Sequence, residues 1–244
     1  MAQNTRDIRR RIRSVQNTAQ ITKAMEMVAA AKLRRVQEAV QLSKPYLERL
    51  QEMLADIAPS VPFLKHPLLA NRVVRRTGYL VITADRGLAG GYTSNVLRRA
   101  LQEFRHKDRS EYVVFAVGRR GRDFFNRHGY PVAEEATGLP DAPTYPSISW
   151  LAQRIVQSYG REEFDELYLV YNEFINAITQ RPIVKKVLPL RGIGAADRPR
   201  VNFLFEPDEV AVMSALLPRF AEALVYQAVL DAKASEHGAR MTAM

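Results

Sequence analysis

Apolar positions along the first quarter of the chain recur with a helical beat. Stepping by four and three from Ile8 reaches Ile12, Val15, Ala19, Thr22, Glu26, Ala29, Leu33, Val36, Val40, Ser43, Leu47, Leu50, Leu54 and Ile57. Only Thr22, Glu26 and Ser43 break the apolar seam. A seam sustained this far without glycine predicts a coiled-coil helix rather than an ordinary globular one. About 50 helical residues at ~1.5 Å rise reach about 75 Å. Pro45 removes a donor and crowds the preceding turn, so a kink or short break is expected around Ser43 and Lys44. Pro59 and Pro62 are expected to end the helix. Between Ala19 and Ala31 the seam narrows to alanine, threonine and glutamate, with Met25, Met27 and Val28 beside it. Two readings of these methionines stand: core packing, or a soft adaptable surface for a partner.

The middle of the chain changes period. Residues 78–83 (GYLVIT), 112–117 (YVVFAV) and 166–172 (ELYLVYN) read as buried strands. Helices are expected near residues 92–106, 119–128 and 147–159. Continuous apolar strands separated by helices predict a mostly parallel sheet covered on both faces. Residues 182–190 alternate and open with Pro182, which suits an edge strand. From about Asp208 the pattern is helical again, with Val210, Met213, Leu217, Phe220 and Leu224 on one stripe. Residues 232–244 carry no stop signal, so the chain reads as ending in mid-helix. The simplest arrangement pairs the two terminal helices antiparallel, with the sheet domain at the end where they emerge.

Charge narrows the partners. The 244 residues carry 36 Lys and Arg against 26 Asp and Glu, a formal net charge of +10. Such an excess favours anionic partners. Arg9, Arg10, Arg11 and Arg13 form the densest basic cluster, and Lys32, Arg34 and Arg35 a second; each also reads simply as a solvated helix face. Apolar stretches fall far short of the ~20 residues that span a bilayer. The basic N-terminus lacks the apolar core of a secretory signal, which points to a cytoplasmic location. Cysteine is absent, which removes disulfides and thiolate chemistry.

Catalytic constellations are not found. The segment TADRGLAGG (83–91) follows a strand and opens a helix, where phosphate often binds. Its glycines fit neither the dinucleotide nor the Walker spacing. A tight turn with Asp85 and Arg86 paired locally is the favoured reading. His66, His106, His128 and His237 are scattered, and Glu134 and Glu135 read as solvated carboxylates in a loop. Residues 172–182 (NEFINAITQRP) read as a surface connection. Residues 205–208 (FEPD) read as a helix start, with Pro207 in the first turn and acidic residues favouring the positive end of the dipole.

The ordered motifs resemble one family over the whole chain. IRRRIRSVQNTAQITKAMEMVAAAKLRR (8–35) is similar to the N-terminal signature of ATP synthase gamma subunits. TADRGLAGG resembles the family's loop after its first strand, often with cysteine where Ala89 stands. YNEFINAITQRP, FEPD and LVYQAVLDAKASEHGARMTAM (224–244) match further segments in order. The resemblance implies an α/β fold: an antiparallel coiled coil of N- and C-terminal helices plus a Rossmann-like domain with a mostly parallel sheet. Residues 1–58 form the first helix, 73–203 the foot domain and 208–244 the returning helix.

It also implies a role. Family members are non-catalytic rotors of a proton-translocating ATP synthase. Their coiled coil lies inside a hexamer of alpha and beta subunits, and their foot contacts the epsilon subunit and the membrane c-ring. No cofactor and no nucleic acid is implied, and the membrane is met only through the c-ring, at the cytoplasmic face of a bacterial-type cell membrane. By resemblance, Met25, Lys32, Arg35 and Arg240 face the beta subunits, Met25 opposite an acidic lever. Phe205, Glu206 and Asp208 lie near the c-ring and epsilon. Gly238 and Thr242 stand where the family usually has alanine and valine. Family members continue for about forty more helical residues; pairing Asp208 beside Ile57 sets Met244 level with about Thr22. The competing classes are a basic nucleic-acid-binding protein, supported by charge alone, and a nucleotide-dependent α/β enzyme using residues 83–91.

Overall fold

The computed structural model describes residues 2–61, 63–191 and 205–244, with side chains from residue 6 onward. Helix α1 runs from Ala2 to Ile57. It passes through Pro45 without the expected break, and the proline ring faces solvent. The helix gives way to a short 3-10 turn at Ala58–Ser60.

Among the described residues, five strands follow the expected order, with one addition. They are β1 Thr77–Ile82, β2 Tyr112–Val117, β3 Val132–Ala136, β4 Glu166–Phe174 and β5 Gln180–Leu188. Helices α2 (Tyr92–Phe104), α3 (Arg119–Arg127) and α4 (Tyr145–Gly160) connect them, and α5 (Glu209–Ala243) closes the chain. The sheet order is β3-β2-β1-β4-β5. β1 pairs in parallel with β2 and β4, β2 in parallel with β3, and β5 antiparallel with β4 as an edge. Strand β3 stands where a loop is expected. Its two glutamates are edge-strand side chains, Glu134 bound by Arg154 at 2.9 Å and Glu135 near Arg122 at 3.6 Å. Charges on an edge strand also discourage pairing with another chain.

Helices α2 and α3 cover one face of the sheet, burying Val96, Ala100, Phe104 and Phe125 against Tyr79, Val81 and Val114. The other face is covered by α4 and α5. Leu80, Phe115, Ile148, Leu151, Leu217, Val225, Leu50 and Leu54 belong to one continuous core. Helix α5 is therefore sandwiched between the sheet and α1. The domain lies alongside the helix pair rather than beyond its end, because α5 uses a second apolar face against α4 and β4. Residues 232–238 of α5 are all buried.

The seam works in its second half. Ala29, Leu33, Val36, Leu50, Leu54 and Ile57 are buried. Ser43, one of its polar interruptions, lies 2.9 Å from the side-chain oxygen of Gln227 on α5. Counting away from that pair along antiparallel helices sets Met244 level with Glu26, one turn below the expected Thr22. Before that level α1 is bare: Ile8, Ile12 and Val15 are 52%, 50% and 68% exposed. Asp208 caps α5 by accepting from the Ala211 amide at 2.8 Å. Pro207 thus precedes the cap instead of occupying the first turn. Pro218 lies inside α5 and does not interrupt it.

Candidate interaction surface

The turn after β1 is built by one carboxylate. Asp85 Oδ1 accepts from the Arg119 amide at 2.9 Å, and both its oxygens accept from the Gly138 amide at 3.1 Å. It ties the ends of β1, β2 and β3 together instead of pairing with Arg86. Leu88 and Gly90 take left-handed backbone, φ 60° and 53°, which turns the chain into α2. The first turn of α2 is the place where an α/β protein would receive phosphate. Here α5 lies across it, with Ala243 Cβ 3.6 Å from where a Cβ on Gly90 would stand.

This turn, α3 and α1 enclose an open cleft of about 820 Å³. Its walls include Ile21, Met25, Val28 and Lys32 from α1 and Arg240 from α5. Arg86, Leu88, Arg119 and Arg120 are exposed at its rim. Met25 is half-buried, while Met27 and Val28 beside it are exposed. The surface reading of this methionine group therefore fits better than core packing.

The cations meet internal partners. Lys32 pairs with Asp141 at 2.9 Å, joining α1 to the loop after β3. Arg240 pairs with Glu236 at 2.9 Å, and Lys233 with the same carboxylate at 3.0 Å. Burial opposes ionisation of Asp141, but the Lys32 hydrogen bond and charge, with His237 and Lys233, hold its carboxyl below the usual range. Burial pushes the His237 imidazole down despite Glu236 and Asp141, so it is neutral at neutral pH. Its Nε2 faces the Asp141 carbonyl at 3.3 Å. Burial, then Glu236 and Asp231, pushes the Tyr92 phenol well above its ordinary value.

Met25, Lys32 and Arg240 thus share one cleft, although the two cations are engaged within the chain. Arg35 is exposed on α1 and does not line the cleft. Phe205 is half-buried against the main core, Glu206 is exposed, and Asp208 is spent on the α5 cap. Sequence reasoning misses Asp141, which sits in a Gly- and Pro-rich loop without periodicity. It also misses Tyr92, whose only signal is an aromatic directly after two glycines. Among the described residues, no three His, Asp or Glu side chains gather closely enough to hold a metal. No helix of the described residues is long and apolar enough to cross a membrane.

Comparison with known proteins decides the family. A family model described as ATP synthase matches residues 4–244. The ATP synthase gamma chain of Brevibacillus brevis is 50% identical over 246 residues, covering 100% of this chain and 86% of that one. The chain belongs to the ATP synthase gamma family. Solved structures agree with the architecture. A chain of the Tetrahymena thermophila mitochondrial ATP synthase central stalk and c-ring superposes with a TM-score of 0.70 at 23% identity, covering 91% of this chain and 97% of that one. A chain of the Euglena gracilis mitochondrial ATP synthase rotor gives 0.50 at 18% identity, covering 89% and 88%. Gamma-family membership sets aside the nucleic-acid and nucleotide-enzyme readings.

Proposed function

We propose that this chain is the non-catalytic central-stalk rotor of a proton-translocating ATP synthase, carrying torque between a membrane c-ring and an alpha/beta hexamer. One observation carries the reading beyond family membership. A helix of 56 residues leaves the sheet domain with an apolar stripe exposed over Ile8, Ile12 and Val15, while its second half is locked into that domain's core. That is the shape of a shaft anchored at one end and gripped at the other. Residues 1–58 and 208–244 form the shaft, and 73–203 the foot.

On this reading Met25, Lys32, Arg35 and Arg240 mark the level where beta subunits meet the shaft. Met25 and Arg35 offer the direct contacts, while Lys32 and Arg240 brace the cleft behind them. Phe205, Glu206 and Asp208 mark the side toward the c-ring and epsilon. The chain then sits peripherally at the cytoplasmic face of the cell membrane, reaching the bilayer only through the ring. A formal charge of +10 suits an acidic lever on the partner. The test is co-purification of the unaltered chain with alpha and beta subunits, followed by ATP-driven proton pumping after addition of epsilon and c-ring. A chain that fails to join the hexamer, or retains DNA instead, overturns the proposal.

A further inference from the structure

The sheet reverses its winding between β1 and β4. From β1 the chain crosses by α2 toward β2, whereas β4 arrives from α4 on the opposite face. The crevice at the carboxyl ends of two such strands is where open α/β sheets take ligands. In this chain α5 occupies it.

The occupation is made by directional bonds as well as packing. Tyr92, buried at the start of α2, donates its hydroxyl to the Ala232 carbonyl of α5 at 3.0 Å. The Tyr92 carbonyl in turn accepts from the side-chain Nδ2 of Asn172, a buried residue of β4, at 3.0 Å. One tyrosine thereby joins α2, β4 and α5. Two further bonds tie α5 to the last residue of β4 and to the turn that follows it. The Asp231 carboxylate accepts from the Phe174 amide at 3.2 Å, and Thr242 donates to the Ala177 carbonyl at 2.9 Å. Gly238 lets these elements approach, since a Cβ there would stand 3.3 Å from the Phe174 ring. On its far side the same stretch of α5 packs through Ala234 on Leu33 and Val36 of α1.

Both sides of α5 carry apolar packing, and the crevice side adds directional bonds. The α1–α5 seam is mostly apolar, and apolar contact is non-directional. Hydrogen bonds weaken steeply when bent. A twist applied at the sheet domain is therefore resisted by the bonds across the crevice, in addition to the apolar packing of α5 on α4 and the sheet.

We infer that the sheet domain drives the shaft through a clasp centred on Tyr92, which binds Ala232 and Asn172 so that domain and α5 turn as one body. This inference rests on the rotor reading. Assembly of the unaltered chain tests that reading, and the clasp is tested by variants within the assembled complex, so the two failures are distinguishable.

Tyr92→Phe removes the hydroxyl and keeps the ring. The complex is expected to assemble and hydrolyse ATP, but the angular spread between a probe on the sheet domain and one on α1 widens, and proton pumping per ATP under load is lost in part. A second variant fixes the crevice covalently. The chain has no cysteine of its own, and the 3.6 Å separation between a Cβ on Gly90 and that of Ala243 suits a disulfide. Oxidised Gly90→Cys/Ala243→Cys rotor is expected to turn over as fast as its reduced form, which controls for strain at Gly90. Combined with Tyr92→Phe, oxidation is expected to restore the narrow spread and the pumping ratio. An unchanged spread in Tyr92→Phe, or loss of turnover on oxidation, overturns the clasp.

Discussion

Ser43 of α1 and Gln227 of α5 meet at 2.9 Å, a polar pair inside a seam that is otherwise apolar around it. The Ser43 hydroxyl also lies 3.0 Å from the Val40 carbonyl one turn back. A single polar contact in such a seam penalises helices that slide by a turn, because each group then faces aliphatic neighbours. Ser43→Ala leaves the half-buried Gln227 oxygen without this donor. The expected cost is about 1 kcal/mol. Urea unfolding of the isolated chain checks it: the midpoint should fall while the slope is unchanged. An unchanged midpoint means that the pair contributes nothing to the seam.

Gly118, between β2 and α3, offers a sharper case. Its φ is 91°, and a Cβ there would stand 2.2 Å from the Thr83 carbonyl oxygen. Relief requires moving β1 away from the start of α3, where Thr83 Oγ1 accepts from the Gly121 amide at 2.8 Å. Gly118→Ala is expected to destabilise the sheet domain by about 3 kcal/mol or more, since strain and a backbone clash act together. A thermal midpoint within a degree or two of the parent would contradict this.

Local pattern in the chain carries some of these features and leaves others out. The α1 seam is legible because its buried and exposed residues alternate every three or four positions, and the central strands because they are apolar throughout. Strand β3 is hidden: Glu134 and Glu135 are an edge strand's charges, and their arginine partners arrive from α3 and α4. The burial of α5 is hidden for a different reason. Residues 232–238 are enclosed on all sides and so show no stripe, and Lys233 and Glu236 look like surface until their pairing is seen. Within the candidate surface, Met25 is legible through family resemblance. The capture of Lys32 by Asp141 links residues more than a hundred positions apart, which no local pattern encodes.

Asp231 predicts a pH dependence. Burial raises its carboxyl to about 6, against the pull of the Phe174 amide and Lys185 and with help from Glu173. A carboxyl whose folded pKa lies above its unfolded value, here 3.8, stabilises the fold fully only below that lower value, and the contribution is lost as pH rises through about 6. Ionised Asp231 therefore weighs against the folded state at neutral pH, by an amount on the order of 3 kcal/mol. Asp231→Asn keeps an acceptor for the Phe174 amide and removes the charge. The variant is expected to gain on the parent in thermal stability at pH 7.5 and to lose most of that gain by pH 4.5. Parallel stability curves across that range would show that the carboxylate is already well solvated.

The most direct mechanical expectation concerns α1 in the free chain. Val36 and Leu54 are fully buried, whereas Ile8, Ile12, Val15 and Ile21 each keep half or more of their surface in water. Helices owe most of their stability to packing of an apolar face. Each buried aliphatic side chain contributes roughly 1.5–3 kcal/mol relative to exposure. Local opening should therefore be cheap over residues 6–20 and approach the global unfolding cost over residues 33–54. Amide hydrogen exchange on the isolated chain should show fast exchange in the first span and strong protection in the second. On the rotor reading, alpha and beta subunits surrounding the shaft would give Ile8, Ile12 and Val15 apolar neighbours, and the contrast should shrink. Equal protection along α1 in the free chain would mean that its bare half is covered in solution, for instance by a second copy. A contrast that persists in the complex would mean that the hexamer does not grip this stripe.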